Sequence, residues 1–283
     1  MGLFNKTRKR RLFRKGLPAV AAATVAAHDV KAAIFPKTSG EIKVVAIFGT
    51  TENHNGIGHE QYIRRIFESK QNWRLIFVRA NKMFNPELIS DADLLMVCRD
   101  DKNDPIDFTR ENALLSETID KGTRLWTDDN VKAIISNVRS RGMGLLTLHN
   151  TILCGNSRFM DFIDVRGIEA HAFQPIWHTR INKAHPIMEG VGKFSIMHDE
   201  QLAVIIKSKT TATLFESTSV HEKRQAISGW ALKRGEGRIA GLLPGSTVHA
   251  YETPEYQNIV WRAAHWALKH EIPTYPKAKN RYY

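Results

Sequence analysis

The chain has 283 residues, 42% hydrophobic and 25% charged, the composition of an ordinary globular protein able to bury a core as one large domain or two small ones. Its formal net charge is +12, but the first 27 residues carry seven of the 41 Lys and Arg and none of the 29 Asp and Glu. The body is therefore only mildly basic, and without an aromatic and basic platform or a recognition motif no nucleic-acid partner is expected. Cys98 and Cys154 are too few for a disulfide framework, and their spacing matches no zinc motif.

Residues 1–27 read as an export signal. Arg10, Arg11, Arg14 and Lys15 form a basic segment, residues 16–27 a short alanine-rich apolar one, and Val25-Ala26-Ala27 offers small residues for a peptidase. The Arg10-Arg11 pair followed by Phe13 and Lys15 resembles the bacterial twin-arginine signal, a receptor-read address. The twin-arginine export machinery is thus an expected partner, with a mature periplasmic or extracellular protein starting near His28. The apolar stretch is too short for stable membrane insertion as a spanning helix. Residues 28–41 read as a linker.

Residues 42–49 are nearly continuous and β-branched, as in a strand buried on both faces. A loop rich in Gly and His follows, then helical spacing at Tyr62, Ile63, Ile66 and Phe67. Residues 73–78 and 93–97 read as strands, with a short helical turn at 86–89. Val131, Ile134, Ile135 and Val138 keep helical spacing and lead through Gly142-Met143-Gly144 into the apolar run 145–148, which ends in His149-Asn150. This alternation predicts a doubly wound, mostly parallel sheet. In the second half, 176–181, 202–207, 211–215, 226–232 and 238–243 are short β-like runs, expected as antiparallel additions at the sheet edge. Tyr256, Ile259, Val260, Ala263, Ala264 and Ala267 form the stripe of a closing helix, and 271–283 read as a surface tail.

Ligands of such sheets collect beyond the carboxyl ends of the strands, so the side chains delivered there define the chemistry. Four loops qualify. Residues 50–59 supply His54 and His59; their glycine spacing is neither a dinucleotide fingerprint nor a phosphate loop. The second is His149-Asn150, where an imidazole means a metal ligand or a general base, not a nucleophile. Cys154 falls five residues later, away from the elbow where a thiol nucleophile would be exposed. The third is His198-Asp199-Glu200, of which an extended chain turns at most one carboxylate to the pocket. That carboxylate, with His149 and a first-loop histidine, would make a set able to hold zinc or another divalent ion; a solvated acidic turn is the competing reading. The fourth, 243–249, holds Ser246 with no base beside it, and His249. His171 is expected in a loop over the pocket, and His185-Pro186 as a structural turn.

Together Gly142-Met143-Gly144 to His149, His185-Pro186-Ile187 with Gly190-Val191-Gly192, Asp199-Glu200, Gly235-Glu236-Gly237 with Pro244-Gly245, and the stretch 261–267 resemble the ThuA-like (trehalose utilisation) proteins in order and spacing. The resemblance spans about 42–270 and implies the flavodoxin-like fold of the class I glutamine amidotransferases without their catalytic cysteine. It also implies a link to trehalose-like sugars, with His59, His149 and Glu200 at family polar positions. Gly245-Ser246 departs from the family's usual Gly-His, with His249 three residues on.

The resulting expectation is an exported enzyme that hydrolyses, eliminates or isomerises a glycoside or oxidised disaccharide. A divalent metal, zinc being the example, would sit on His59, His149 and Glu200, with His54 or His249 as general base. Asn150, His171 and Trp177 would bind the small-molecule carbohydrate, and a homo-oligomer is compatible with the sequence. The alternative is a non-catalytic carbohydrate-binding protein in which Trp177 or Tyr251 stacks on the sugar.

Overall fold

The computed structural model describes residues 37–48, 56–79, 81–100 and 124–276. The expected leader, His54 and the end of the expected tail lie outside the described residues. The strands are β1 (Ile42–Phe48), β2 (Trp73–Val78), β3 (Leu94–Cys98), β4 (Gly144–Leu148), β5 (Val165–Ile181), β6 (Phe194–Ile206), β7 (Ala212–Ser219), β8 (Gln225–Arg234) and β9 (Gly237–Leu242). The helices are α1 (Gly56–Phe67), α2 (Asp128–Ser136, prolonged by a π turn over Asn137–Arg141), α3 (Ser157–Phe162), α4 (Val248–Glu252) and α5 (Pro254–Ala267).

Five strands run parallel in the order β2-β1-β3-β4-β9. Their sequences are apolar throughout because both faces are covered. Val44, Ala46 and Phe48 pack with Ile63, Ile66 and Phe67 of α1 and with the stripe of α5, while the alternate residues Val45 and Ile47 pack with Val131, Ile134 and Ile135 of α2. The period of two along each strand thus builds two cores, one on each side of the sheet. Each fully buried Val, Ile or Leu among them contributes about 1.5–3 kcal/mol of transfer free energy.

The second half carries the expected antiparallel strands, but they are too many for a mostly parallel sheet and do not lie flat at its edge. The nine-stranded sheet is mixed, every pairing beyond β9 is antiparallel, and β7 pairs with β8 as well as β5. Strands β5, β6, β8 and β7 therefore close on themselves as a small barrel. With 17 and 13 residues, β5 and β6 are too long to lie flat at an edge, and their three register shifts bend them around. Closure leaves no open edge there.

Two local readings are also corrected. His171 is not in a covering loop but in β5, opposite Gln201, and 198–200 is not a loop but the middle of β6. The expected surface tail is docked over its first residues: Trp261 Nε1–H donates to the Pro273 carbonyl (3.0 Å) and Tyr275 Oη–H to Gln257 Oε1 (3.1 Å). No helix among the described residues is long and apolar enough to cross a membrane.

Candidate functional site

The carboxyl end of β4 turns straight into a short 3-10 turn, His149–Leu153, and the residue at the bend is His149. Its φ of +36° lies in the left-handed region, which a non-glycine residue adopts only when its surroundings enforce it. The enforcement is visible. Thr151 Oγ1 lies 2.6 Å from the Val97 carbonyl and 2.8 Å from that of Leu148, tying the turn to the ends of β3 and β4. The Cys98 thiol donates to Asn150 Oδ1 at 3.6 Å. Burial pushes that thiol up to about 12, so it stays neutral and serves as a weak donor.

The imidazole of His149 is fully buried. Its Nδ1 is 2.8 Å from the Leu243 carbonyl, an acceptor, which places the proton on Nδ1 and turns Nε2 toward Glu200 Oε2 at 3.4 Å. The strand exits of β4 and β9 and the middle of β6 thus meet at one pair of titratable groups.

The neighbouring carboxylate does a different job. Asp199 is buried and accepts backbone N–H groups of Gly245 (2.9 Å), Ser246 (2.8 Å) and Thr247 (3.3 Å), while Thr247 Oγ1–H donates to the His198 carbonyl (2.7 Å). Burial raises its carboxyl above the usual range, opposed by the nearby His149 and by these amides. Asp199 therefore holds the loop after β9, and Glu200 alone of the pair faces His149, as expected for adjacent residues of an extended strand. Gly245 sits at φ +125°, and a Cβ there would come within 2.8 Å of Tyr251 Oη, so the close approach of loop and ring requires glycine.

The remaining sequence candidates are dispersed. His59 is buried in α1 with its ring 5.1 Å from that of Tyr251. Tyr251 is itself buried against Tyr256, so it is part of the wall and presents no face to a sugar. His249 is exposed on α4, its Nδ1 2.9 Å from Glu252, which also receives the Tyr62 hydroxyl. His171 pairs with Glu222 (3.2 Å) and contacts Arg224 (3.2 Å). Trp177 is half exposed on the outside of the barrel. Cys154 is buried at the end of the turn that His149 opens, and His185 caps a short 3-10 turn by accepting Ile187 N–H, the structural role expected of it.

Among the described residues no group of three or more His, Cys, Asp or Glu side chains is arranged to hold a metal. His149 and Glu200 supply two donors, His59 is held against Tyr251, and the described residues do not by themselves fit the expected metal set.

Sequence reasoning missed Arg99 and Asp100. Both are buried at the carboxyl end of β3, next to the β4 exit. The signal was present, since they follow an apolar run just as His149 does. Thr151 was missed for want of any signal, because a lone Thr three residues past a strand reads as an ordinary turn.

No curated protein sequence matches the chain. Among solved structures, a protein described as ThuA-like from Parabacteroides merdae ATCC 43184 superposes with a TM-score of 0.60 at 14% identity, over 84% of this chain and 94% of that one. A second one so described, from Bacteroides uniformis ATCC 8492, gives 0.59 at 10% identity over 83% and 94%. A β-galactosidase from Rahnella sp. R3 gives 0.52 at 11% identity, over 82% of this chain but 32% of that enzyme. At these identities the likenesses show a common α/β fold. The sequence itself goes further: residues 43–267 match the ThuA family, described as trehalose utilisation, and the chain belongs to that family.

Proposed function

We propose that the protein is a sugar-processing enzyme whose His149 and Glu200 act as a proton-transfer pair on a glycoside or oxidised disaccharide, by hydrolysis, elimination or isomerisation. One observation carries this reading: a buried histidine, held in a strained backbone conformation at a strand exit, with Nδ1 on the Leu243 carbonyl and Nε2 3.4 Å from a carboxylate. A lone pair facing a carboxylate repels it, so the contact is attractive only with a proton on one partner. Such a pair can take a proton from a sugar hydroxyl or an acidic C–H and return it to a leaving oxygen. Membership of a family described as trehalose utilisation supports a sugar as the molecule acted on.

The neutral thiol of Cys98 and the buried Cys154 argue for proton transfer over thiolate chemistry. A divalent ion on His149 and Glu200 would need a further donor, so no step is routed through one. His54, which lies outside the described residues, remains the proposed first-loop base.

The test is turnover of a panel of glucosides, trehalose and their oxidised forms by the parent, His149→Gln and Glu200→Gln, with elemental analysis of each protein. A loss of about a hundredfold or more in kcat in both variants with unchanged folding is expected. Parent-like turnover in either variant overturns the pair. Metal that is present in the parent and lost with His149 would restore the expected metal role. Sugar binding without turnover by the parent would favour the non-catalytic reading that Ser246 motivates.

Export through the twin-arginine route is part of this proposal and rests on Arg10-Arg11 and the alanine-rich stretch behind it. Replacing both arginines by lysine should leave the protein in the cytoplasmic fraction of a bacterial host. An unchanged periplasmic yield counts against it.

A further inference from the structure

The outer face of the barrel carries large apolar side chains in an ordered row. Along β5 burial alternates, with Gln174, Ile176 and His178 inside, and Phe173 and Trp177 outside with 41% and 51% of their surfaces exposed. Met197 of the paired strand β6 is 68% exposed, and Trp177 stands opposite Ser195 on β6 and Thr218 on β7. Phe173 stacks on the His198 ring (centroids 5.1 Å apart, planes 18° apart), and His198 lies 6.4 Å from the His249 ring. The His198 carbonyl receives the hydroxyl of Thr247, in the loop that Asp199 holds beside His149. The row therefore starts at the rim of the candidate site and runs away from it along two strands.

We propose that this row is a binding track for an extended saccharide, so that the site acts at or near the end of a chain longer than a disaccharide. The proposal rests on the sugar-processing reading above and names its substrate class. Four residues of strand separate Phe173 from Trp177, roughly 12 Å, farther than the two rings of a disaccharide stand apart. Both are flat apolar rings with polar neighbours: Ser195 and Thr218 flank Trp177, and the His171, Glu222 and Arg224 group adjoins Phe173. A sugar has that composition, with apolar C–H faces for rings and hydroxyls for the polar groups at their edges. A second protein molecule fits less well, because Phe173, Trp177 and Met197 form a narrow row with polar neighbours and not a broad apolar patch.

The experiment compares Phe173→Ala, Trp177→Ala and the parent by titration calorimetry and turnover, using trehalose, maltose and α- and β-linked glucose oligomers of up to about six units. The loss on substitution should grow with chain length, smallest on the disaccharides and largest on the longest oligomers. Oligomers should bind the parent more tightly than disaccharides do, and each substitution should weaken oligomer binding roughly tenfold. Affinity independent of chain length, or of both rings, overturns the track while leaving the His149 and Glu200 proposal standing. Loss of turnover on every sugar in the His149 and Glu200 variants, with the chain-length effect intact, separates the two claims the other way. A shift from dimer to monomer in sedimentation on substituting Trp177, with sugar binding unchanged, would assign the face to a second copy and overturn the proposal.

Discussion

At the scale of the residue, His149 carries two demands that few side chains meet together. Its backbone stands at φ +36°, where Asn, Asp and His are tolerated and a β-branched residue is strained. Its side chain must fill a closed space and donate to the Leu243 carbonyl. Asparagine meets the backbone demand and keeps a donor of similar reach, whereas valine fails both and leaves a buried carbonyl without its partner. His149→Asn should therefore fold with a melting temperature within a few degrees of the parent, and His149→Val should lose roughly 2–4 kcal/mol more. Equal denaturation midpoints for the two variants would show that the bend imposes no strain. Both should be inactive, which separates the residue's structural role from its chemical one.

At the scale of the element, the parallel half was legible because each strand there is a short apolar run with both faces buried. Residues 42–48, 73–78 and 86–89 read from sequence as the structure has them, give or take an end residue. The strand exit at His149 was legible for the same reason: an apolar run stopped by a polar residue marks the carboxyl edge of such a sheet. The barrel was not. Its interior is partly polar, with Gln201 Nε2–H donating to Ser217 Oγ (2.9 Å) and Ser228 Oγ–H to the same oxygen (2.6 Å), so inward positions do not look apolar. Its strands also carry site residues on one side and exposed rings on the other. As a result the His198-Asp199-Glu200 segment looked like an acidic turn and His171 like a loop. The site was legible in part. His149 and Glu200 lie 3.4 Å apart, but spacing alone read 198–200 as a solvated acidic turn, and the partition of labour between Asp199 and Glu200 depends on which carboxylate meets the amides of 245–247, which only tertiary pairing of β6 with that loop decides.

At the scale of the whole molecule, the barrel makes stability sensitive to acid through one histidine. His178 is buried between Phe194 (centroids 4.4 Å) and Phe215 (5.5 Å), and neither ring nitrogen has a hydrogen-bond partner among the described residues. Burial alone lowers it from 6.5 to about 3. In the unfolded chain the imidazole takes up a proton below its ordinary value, while the folded protein cannot do so until about 3. The unfolded state therefore binds more protons in that window, and folding stability is full above pH 6.5 and falls as pH drops toward 3. The slope is about 1.4 kcal/mol per pH unit and the full loss roughly 4–5 kcal/mol. His265, lowered to about 4 by burial and by Lys70 and His270, acts in the same direction. Asp199, raised by burial, acts in the opposite one, since protonation as pH falls relieves a buried charge. His178→Phe removes the orphaned nitrogens and the titration together. Urea unfolding followed from pH 7 to pH 4 should show the parent losing stability steeply and the variant less so by at least about 2 kcal/mol across that range, with the variant more stable at every pH. Parallel curves for the two proteins would mean that the barrel opens to water around His178 and that the acid sensitivity of the fold originates elsewhere.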